Sequence, residues 1–275
     1  MRSVHTLDVT VIVPMHNSRE TVGKALASIA VQTRPPARVI VVDDASSDDS
    51  VDVARQCDIA RLEVVKLEAN RGPGGARNAG ASQATTGWLA FLDADDEWEP
   101  AILEVVSGAV ASANADFAGT GGIRHRINGQ SIVRLIDGPA EGADHTADFW
   151  RIARRFPPVY PSCAFIRRSL FEAVGGFPED MRYGEDLTLF ARLWLAGRFV
   201  FVNRPLYQSG QLRGGLSAGP RSYRDIALFT MRLGATLGRA IVRRKPGTRF
   251  FVGTYARLVV RRHHAWLARR LGRDR

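Results

Sequence analysis

Short apolar runs alternate with segments of helical spacing along the first part of the chain. Segments with helical spacing or helix-start signals cover residues 21–30, 45–56 and 70–84. The runs between and around them have the length and apolar character of buried strands: residues 9–14, 38–43, 62–67 and 88–92. This alternation predicts an α/β fold with a doubly wound, mostly parallel sheet flanked by helices. Right-handed crossovers then bring the carboxyl ends of the four strands to one edge.

The pattern is less regular after residue 100. A turn is predicted at Asn128-Gly129, a polar loop at 137–148, a mobile glycine-rich loop at 206–217 and a helix break at Lys245-Pro246-Gly247. The regular elements predicted here are helices at 100–113, 187–195, 222–242 and 248–271, a short helix after residue 169, and strands at 116–118 and 122–135. The α/β fold therefore carries a C-terminal helical extension.

Composition narrows the class of protein. With 275 residues, 45% hydrophobic and 24% charged, the chain can bury a sizeable core and is not of the disordered class. Cys57 and Cys163 lie far apart without metal-ligand spacing, which favours buried thiols in a reducing compartment. No leader-like segment and no run of about 18 apolar residues occurs. We expect a cytoplasmic chain without a membrane span.

The net charge of +10 is concentrated at the C-terminus. Residues 231–275 contain 13 lysines and arginines and one acid, so this segment carries +12 and the rest of the chain carries −2. A near-neutral body with a basic tail indicates a local surface contact and not a nucleic-acid-binding protein. In the predicted last helix, apolar and arginine residues alternate near helical spacing. Such a helix can lie on an anionic membrane, or it can pack its apolar residues on the main domain.

An acidic motif ends the fourth predicted strand. Asp93, Asp95 and Asp96 follow the apolar run directly, where ligands bind in open α/β sheets. Two carboxylates one residue apart repel each other unless a proton or cation lies between them, and hard divalent ions take such oxygen ligands. The alternative is a solvated acidic turn before the next helix.

The same edge has further polar residues. Asp43-Asp44 follows the second strand, and Arg77 and Asn78 lie at a helix start. The dinucleotide fingerprint is absent from the first strand-helix turn, and no Walker lysine follows the glycine-rich segment. Each residue alone has a structural explanation as a turn or helix-surface residue. Together they favour a nucleotide site with a metal on Asp95 and a phosphate near Arg77.

Five motifs match one family in order and spacing: VTVIVPMHN at 9–17, VIVVDDASSDDS at 39–50, NRGPGGARNAG at 70–80, LDADD at 92–96 and GEDL at 184–187. Over about residues 9–217 the chain resembles the family 2 glycosyltransferases of GT-A fold. The resemblance implies a nucleotide-sugar donor, most often a UDP-sugar, a divalent cation such as Mn²⁺ or Mg²⁺, and inversion at the anomeric carbon. It also implies a glycan, glycolipid or cell-surface polymer as acceptor.

Site roles follow from the same resemblance. It places Asp44 at the base, Asp93 near the ribose and Asp95 on the metal. Asp186 takes the acceptor proton with Glu185 beside it, although acids at a helix start also have a purely structural explanation. Arg213, in the glycine-rich loop, is either a contact to the diphosphate or a solvated residue. The full set of nucleotide-binding residues implied is Pro14, His16, Asn17, Asp44, Arg77 and Asp93.

The expected domains are a glycosyltransferase domain over 1–220 and a basic helical extension over 221–275. Within the first domain, about 8–100 forms the nucleotide-binding half and about 101–220 the acceptor half.

The sequence leaves two functions other than glycosyl transfer open. A nucleotidyltransferase would more typically have a basic glycine-rich loop after the first strand, and a noncatalytic membrane-binding module would not need intact Asp95 and Asp186.

Overall fold

The computed structural model describes residues 7–125, 130–135, 145–153, 158–181, 183–209 and 223–270; for 147, 223 and 261–270 it describes the backbone alone. The first half alternates strands and helices as the periodicity predicts. Its elements are β1 (Val9–Met15), α1 (Val22–Ala30), β2 (Arg38–Asp43), α2 (Ser50–Arg55), β3 (Leu62–Lys66), α3 (Gly72–Gln83), β4 (Trp88–Phe91), β5 (Asp96–Trp98) and α4 (Ile102–Ala113).

The second half mixes short strands with helices. Two 3-10 helices, Thr146–Asp148 and Pro161–Cys163, accompany the regular elements. These are β6 (Phe117–His125), β7 (Ser131–Arg134), α5 (Phe149–Ile152), β8 (Phe165–Arg167), α6 (Arg168–Ala173), α7 (Glu185–Ala196), β9 (Phe199–Ser209), α8 (Tyr223–Val242) and α9 (Thr248–Arg270).

One sheet of nine strands organises the described residues, in the order β3-β2-β1-β4-β8-β6-β9-β5 with β7 paired to β6. The first four strands are parallel, which confirms the parallel sheet predicted for the first half of the chain. Beyond β4 the sheet is mixed, because β8 is antiparallel to both β4 and β6 whereas β9 is parallel to β6. The carboxyl ends of β1, β2 and β4 therefore share one edge, where the acidic residues lie.

Close packing fixes α3 against this parallel half. A Cβ atom on Gly80 would lie 2.6 Å from Ile12 Cγ2 of β1 and 3.0 Å from Val42 Cγ2 of β2. Only glycine allows so close an approach of helix to sheet. The glycine-rich composition of α3 thus serves to bring its side chains, Arg77 among them, against the ends of β1 and β4.

The predicted loop at 206–217 is wrong in its first four residues. Residues 206–209 are the end of β9, paired antiparallel to β5 with Trp98 opposite Tyr207 and Asp96 opposite Ser209. Residues 96–98 were expected to lie in a turn and form a strand because β9 provides this partner. Residues 210–217 lie outside the described residues, as do the predicted Asn128-Gly129 turn and positions 137–144.

The C-terminal helices pack on the α/β domain. Phe229, Leu233 and Phe251 are fully buried and belong to the same hydrophobic core as the sheet. Phe251 of α9 stacks on Trp150 with ring centroids 3.9 Å apart and meets the edge of Trp194 at 5.3 Å. In the described part of the chain, no helix has the length and apolarity to cross a membrane. The predicted domain boundary near residue 220 lies outside the described residues and stays a prediction.

We expect Phe251→Leu to lower the free energy of unfolding by about 1–2 kcal/mol. Leucine keeps most of the apolar burial but loses two aromatic pairs, each of which contributes about 0.5–1.5 kcal/mol. Urea denaturation measures the change. The neighbouring Phe250→Leu is the control, because Phe250 is only half-buried and its ring contacts the Arg249 guanidinium at 4.8 Å. The free energy of unfolding of this variant should fall by less than about 1 kcal/mol. Equal stability of Phe251→Leu and wild type would show that the aromatic contacts do not hold α9.

Candidate active site

The acidic loop after β4 brings three carboxylates together. One oxygen from each of Asp93, Asp95 and Asp96 lies within 4.8 Å of the others. Burial, and then the charge of Asp93, raise the pKa of the Asp95 carboxyl to about 6. A half-buried carboxylate that repels its neighbour gains from a shared cation, and oxygen ligands are those that Mg²⁺ and Mn²⁺ take. These carboxylate oxygens therefore fit the divalent cation that the resemblance implies.

Ser162 holds this loop in place from across the sheet. Its hydroxyl donates to Asp96 Oδ2 at 2.5 Å and accepts the backbone N–H of Asp93 at 3.2 Å. The Trp98 indole N–H donates to the Ser162 carbonyl at 2.6 Å. Asp96 thus fixes the loop, while Asp93 and Asp95 are more exposed. The contacts are 64 to 69 residues apart in sequence, so no local pattern could reveal Ser162.

Arg77 lies beneath the acidic loop and connects it to α7. Its guanidinium is 3% exposed, donates to Asp93 Oδ1 at 2.5 Å and lies 3.6 Å from Glu185 Oε1. Phe177 covers it, with the guanidinium carbon 5.2 Å from the ring centroid. Burial disfavours the charge, but Asp93 and Glu185 outweigh this effect and raise the pKa of Arg77. A buried cation thus ties the predicted metal loop to the predicted acid pair.

The two acids at the start of α7 differ in environment. Gly184, at φ +78°, precedes the helix, a conformation that favours glycine and sets the direction of the next two side chains. Glu185 is 8% exposed, and burial, followed by the charge of Asp186, raises the pKa of its carboxyl. Asp186 is half-buried, and its Oδ1 accepts the Leu187 backbone N–H at 2.6 Å. Glu185 is therefore committed to Arg77, and Asp186 is the more accessible acid.

The predicted nucleotide residues after β1 and β2 lie together. His16 Nδ1 is 2.8 Å from the Asp44 carbonyl oxygen, and Asn17 Oδ1 accepts the Ser47 backbone N–H at 2.9 Å. Pro14 is buried within β1, opposite Val42 of β2. The two loops thus form one surface at the edge of the sheet.

Asp44 joins this surface to α3. Its side chain is 3% exposed, and Oδ1 accepts the backbone N–H of Arg71 at 2.7 Å, next to the first residue of α3. This bond fixes the start of the helix that carries Arg77 six residues later. The predicted contact of Asp44 with a base stays a prediction. Arg213 lies outside the described residues.

An aromatic residue that the sequence analysis did not single out, Tyr160, contacts the cation of Arg134. The Arg134 guanidinium carbon is 4.4 Å from the Tyr160 ring centroid. Burial raises the pKa of Tyr160 to about 12, and the negative charge of Asp186 adds to this effect. Tyr160 immediately precedes the 3-10 helix that contains Ser162. Only the folding of the irregular middle segment brings Arg134 and Tyr160 together.

Two bacterial proteins are similar in sequence to most of this chain. The "Succinoglycan biosynthesis protein ExoO" of Rhizobium meliloti (strain 1021) is 31% identical over 198 residues, or 69% of this chain and 56% of ExoO. ExoU of the same organism, also named a succinoglycan biosynthesis protein, is 31% identical over 243 residues, or 83% of this chain and 68% of ExoU. The chain thus spans little more than half of ExoO and about two thirds of ExoU.

The fold has counterparts among solved structures. S. aureus TarS 1-349 in complex with UDP-GlcNAc superposes with a TM-score of 0.71 at 22% identity, covering 86% of this chain and 67% of TarS 1-349. The likeness confirms the GT-A fold expected from the sequence. Residues 10–175 match the sequence profile of the family described as "Glycosyl transferase family 2". On this match and on the two relatives, the protein belongs to the family 2 glycosyltransferases.

Proposed function

We propose that the protein transfers a sugar from a UDP-sugar to an acceptor hydroxyl, with inversion at the anomeric carbon. The observation that carries the proposal is the buried Arg77, which contacts both Asp93 of the acidic loop and Glu185 beside Asp186. One cation thus holds a donor-side carboxylate and an acceptor-side acid in a single rigid unit. UDP is chosen as the nucleotide because TarS, which shares the fold, is described in complexes with UDP-GlcNAc and with UDP.

Asp95 would hold a divalent cation, and Asp93 beside it would lie near the ribose. When bound, this ion would offset the negative charge that develops on the diphosphate as it leaves. Arg77 adds a fixed positive charge behind Asp93 and keeps that carboxylate oriented. A charge that is already in position needs no reorganisation during the reaction. Electrostatic stabilisation of this kind is often the largest contribution to catalysis. The nucleoside would lie on the surface formed by Pro14, His16, Asn17 and Asp44.

Asp186 would act as the general base. Its Oδ1 is engaged by the Leu187 backbone N–H, which leaves Oδ2 to accept the proton of the acceptor hydroxyl. The acceptor oxygen forms its bond to the anomeric carbon while the bond from that carbon to the diphosphate oxygen breaks. Glu185 keeps Arg77 in place and does not take the proton. Arg213 remains a predicted contact of the loop that would exclude water from the site.

The acceptor would be a glycan, glycolipid or cell-surface polymer. Support comes from the relatives, since ExoO and ExoU are named for succinoglycan biosynthesis and TuaG of Bacillus subtilis for teichuronic acid biosynthesis. Tyr160 and Arg134 form an aromatic and cationic pair next to the 3-10 helix that holds the acidic loop. We place the enzyme in the cytoplasm, at the inner face of the membrane.

Asp95→Ala should reduce the gain in UDP affinity that Mn²⁺ provides by about tenfold or more, since even supporting residues of metal sites contribute about 10–100-fold. Isothermal calorimetry with UDP, in Mn²⁺ and in EDTA, measures this gain. Glu97→Ala is the matched control, because Glu97 is an exposed acid two residues away. Equal Mn²⁺ dependence in Asp95→Ala and wild type would exclude Asp95 as the metal ligand. Absence of UDP binding by the wild type would contradict the proposed donor.

The same binding should depend on pH. The pKa of the metal-free Asp95 carboxyl is about 6, so below this pH a proton must leave before a cation binds. The Mn²⁺-dependent affinity should be constant above about pH 7 and fall by up to about tenfold per unit below pH 6. A flat profile between about pH 5 and pH 7 would show that Asp95 does not titrate in the binding reaction.

A further inference from the structure

The corner between α8 and α9 has an unusual surface. We define the α8–α9 corner as residues 241–249 together with Arg151 of α5. It encloses an open cavity of about 700 Å³. The cavity lies against α5 and the start of α9, and none of the residues assigned above to donor or acceptor lines it. Its chemistry therefore calls for a separate explanation.

Positive charge dominates this cavity. Its lining contains Arg151, Arg244, Lys245 and Arg249 but a single acid, Asp148, which pairs with Arg151 at 2.7 Å. Arg244 and Arg249 are exposed and have no acidic partner within the described part of the chain. Surface arginines are usually dispersed among acids, so a concave group of cations with one acid favours an anionic ligand.

Exposed apolar side chains adjoin the cations. Ile241 and Val242, the last two residues of α8, are 55% and 84% exposed, and Arg243, Arg244 and Lys245 follow at once. On α9, Phe251 is fully buried and Tyr255 and Leu258 lie against the core, whereas Val252 and Val260 are 45% and 66% exposed. The apolar residues of α9 are thus divided between core and surface, and Ile241 and Val242 are the exposed apolar pair that adjoins the basic cavity.

We propose that the α8–α9 corner is a membrane-docking site, at which anionic phospholipid headgroups enter the basic cavity and Ile241 and Val242 insert among the lipids. Cations near an anionic membrane and apolar side chains at its interface act together in this way. This proposal does not depend on the chemistry of transfer. It assigns the membrane contact to the corner, whereas the sequence offered the last helix either as a membrane contact or as a helix packed on the main domain.

Other occupants fit the surface less well. A second copy of the chain would bring the same cations into contact with one another. A nucleic acid would engage the arginines but would leave Ile241 and Val242 exposed. An anionic membrane matches both the charge and the apolar pair.

Vesicle sedimentation tests the proposal with the full chain. Wild type should bind vesicles of phosphatidylcholine with phosphatidylglycerol and not phosphatidylcholine alone, with an affinity that falls as salt rises. The double variant Arg244→Asn/Arg249→Glu should bind about tenfold more weakly or worse, because each basic residue near the surface matters and two are removed. Asparagine is chosen because position 244 has φ +49°, which asparagine tolerates.

Two further variants test whether vesicle binding depends on the apolar side chains of the corner and on the position of the charges. Val242→Ser should weaken binding about five- to tenfold without a change of charge, since it removes an exposed apolar side chain. Lys24→Asn/Arg55→Glu changes the net charge by the same amount on α1 and α2, at exposed positions, and should bind within about twofold of wild type. Thermal unfolding confirms that each variant is folded.

Several outcomes would overturn the proposal. Absence of sedimentation by folded wild type at low salt excludes membrane docking. Equal loss in the corner and control pairs shows that net charge alone drives binding. Normal binding by all corner variants assigns any membrane contact to another part of the chain, such as the end of α9. UDP binding is measured in parallel, so failure of docking is distinguished from failure of the proposed transfer reaction.

Discussion

Asp186→Asn should reduce the rate of sugar transfer by about 10²–10⁴ while UDP binding is retained. A positioned general base contributes about this factor, and asparagine keeps the shape of aspartate without its proton affinity. Asparagine can also keep the hydrogen bond from the Leu187 backbone N–H, so the start of α7 is preserved. The measurement is the transfer rate with a UDP-sugar panel and glycoside acceptors, alongside calorimetry with UDP.

Glu185→Gln is the matched comparison. Glu185 is buried beside Arg77, and its raised pKa means that a neutral side chain is a smaller change there than at Asp186. We expect the rate of sugar transfer by Glu185→Gln to fall by about tenfold or less. A near-normal rate for Asp186→Asn would remove Asp186 from the base role. A larger loss for Glu185→Gln than for Asp186→Asn would exchange the two roles.

The nucleotide-binding half could be predicted because its signals are local. Each of the first four strands is a short apolar run between helical segments, and each ends near its polar residues. Parallel connections then fix the neighbours, so Asp44 and Asp93 reach one edge without long-range information. The acidic loop and the start of α7 were also visible, since Gly184 and its following acids form a motif within four residues.

The remaining features depend on contacts between distant segments. Residues 206–209 directly precede the glycine-rich segment and were predicted as part of its loop, yet they form a strand because β5 and β6 lie on either side of them. Ser162 contacts the acidic loop from 69 residues away. Arg134 and Tyr160 meet across the irregular middle segment. None of these pairings has a periodicity or spacing, so they become evident only in the folded chain.

The different environments of Glu185 and Asp186 also required the structure. In the sequence the two acids are adjacent at a helix start and equivalent in charge. Burial of Arg77 makes them different, because this cation contacts Glu185 and leaves Asp186 half-buried. The position of Arg77 near the nucleotide stays a prediction, and its described contacts are to carboxylates and Phe177. Its principal effect is therefore on the geometry of the acids.

Arg77→Met should lower the free energy of unfolding by about 3–5 kcal/mol at pH 8. Methionine fills much of the volume but leaves Asp93 and Glu185 without their shared cation, and removing one partner of a buried ion pair costs about this amount. Urea denaturation measures the loss. Arg71→Met is the control, because Arg71 pairs with Glu179 at 2.7 Å with both side chains nearly half exposed, and such a pair contributes about 0–1 kcal/mol.

The destabilisation should shrink as the pH falls. Burial already raises the pKa of Glu185 above its ordinary value of 4.5, and loss of the Arg77 charge raises it further. A carboxyl whose pKa is higher in the folded state binds more protons there than in the unfolded chain, so lowering the pH favours folding. The difference between variant and wild type should therefore be smaller at about pH 5.5 than at about pH 8. A difference independent of pH would mean that Arg77 stabilises the fold through packing with Phe177 and not through its charge, and the link between the acidic loop and α7 would then not be electrostatic.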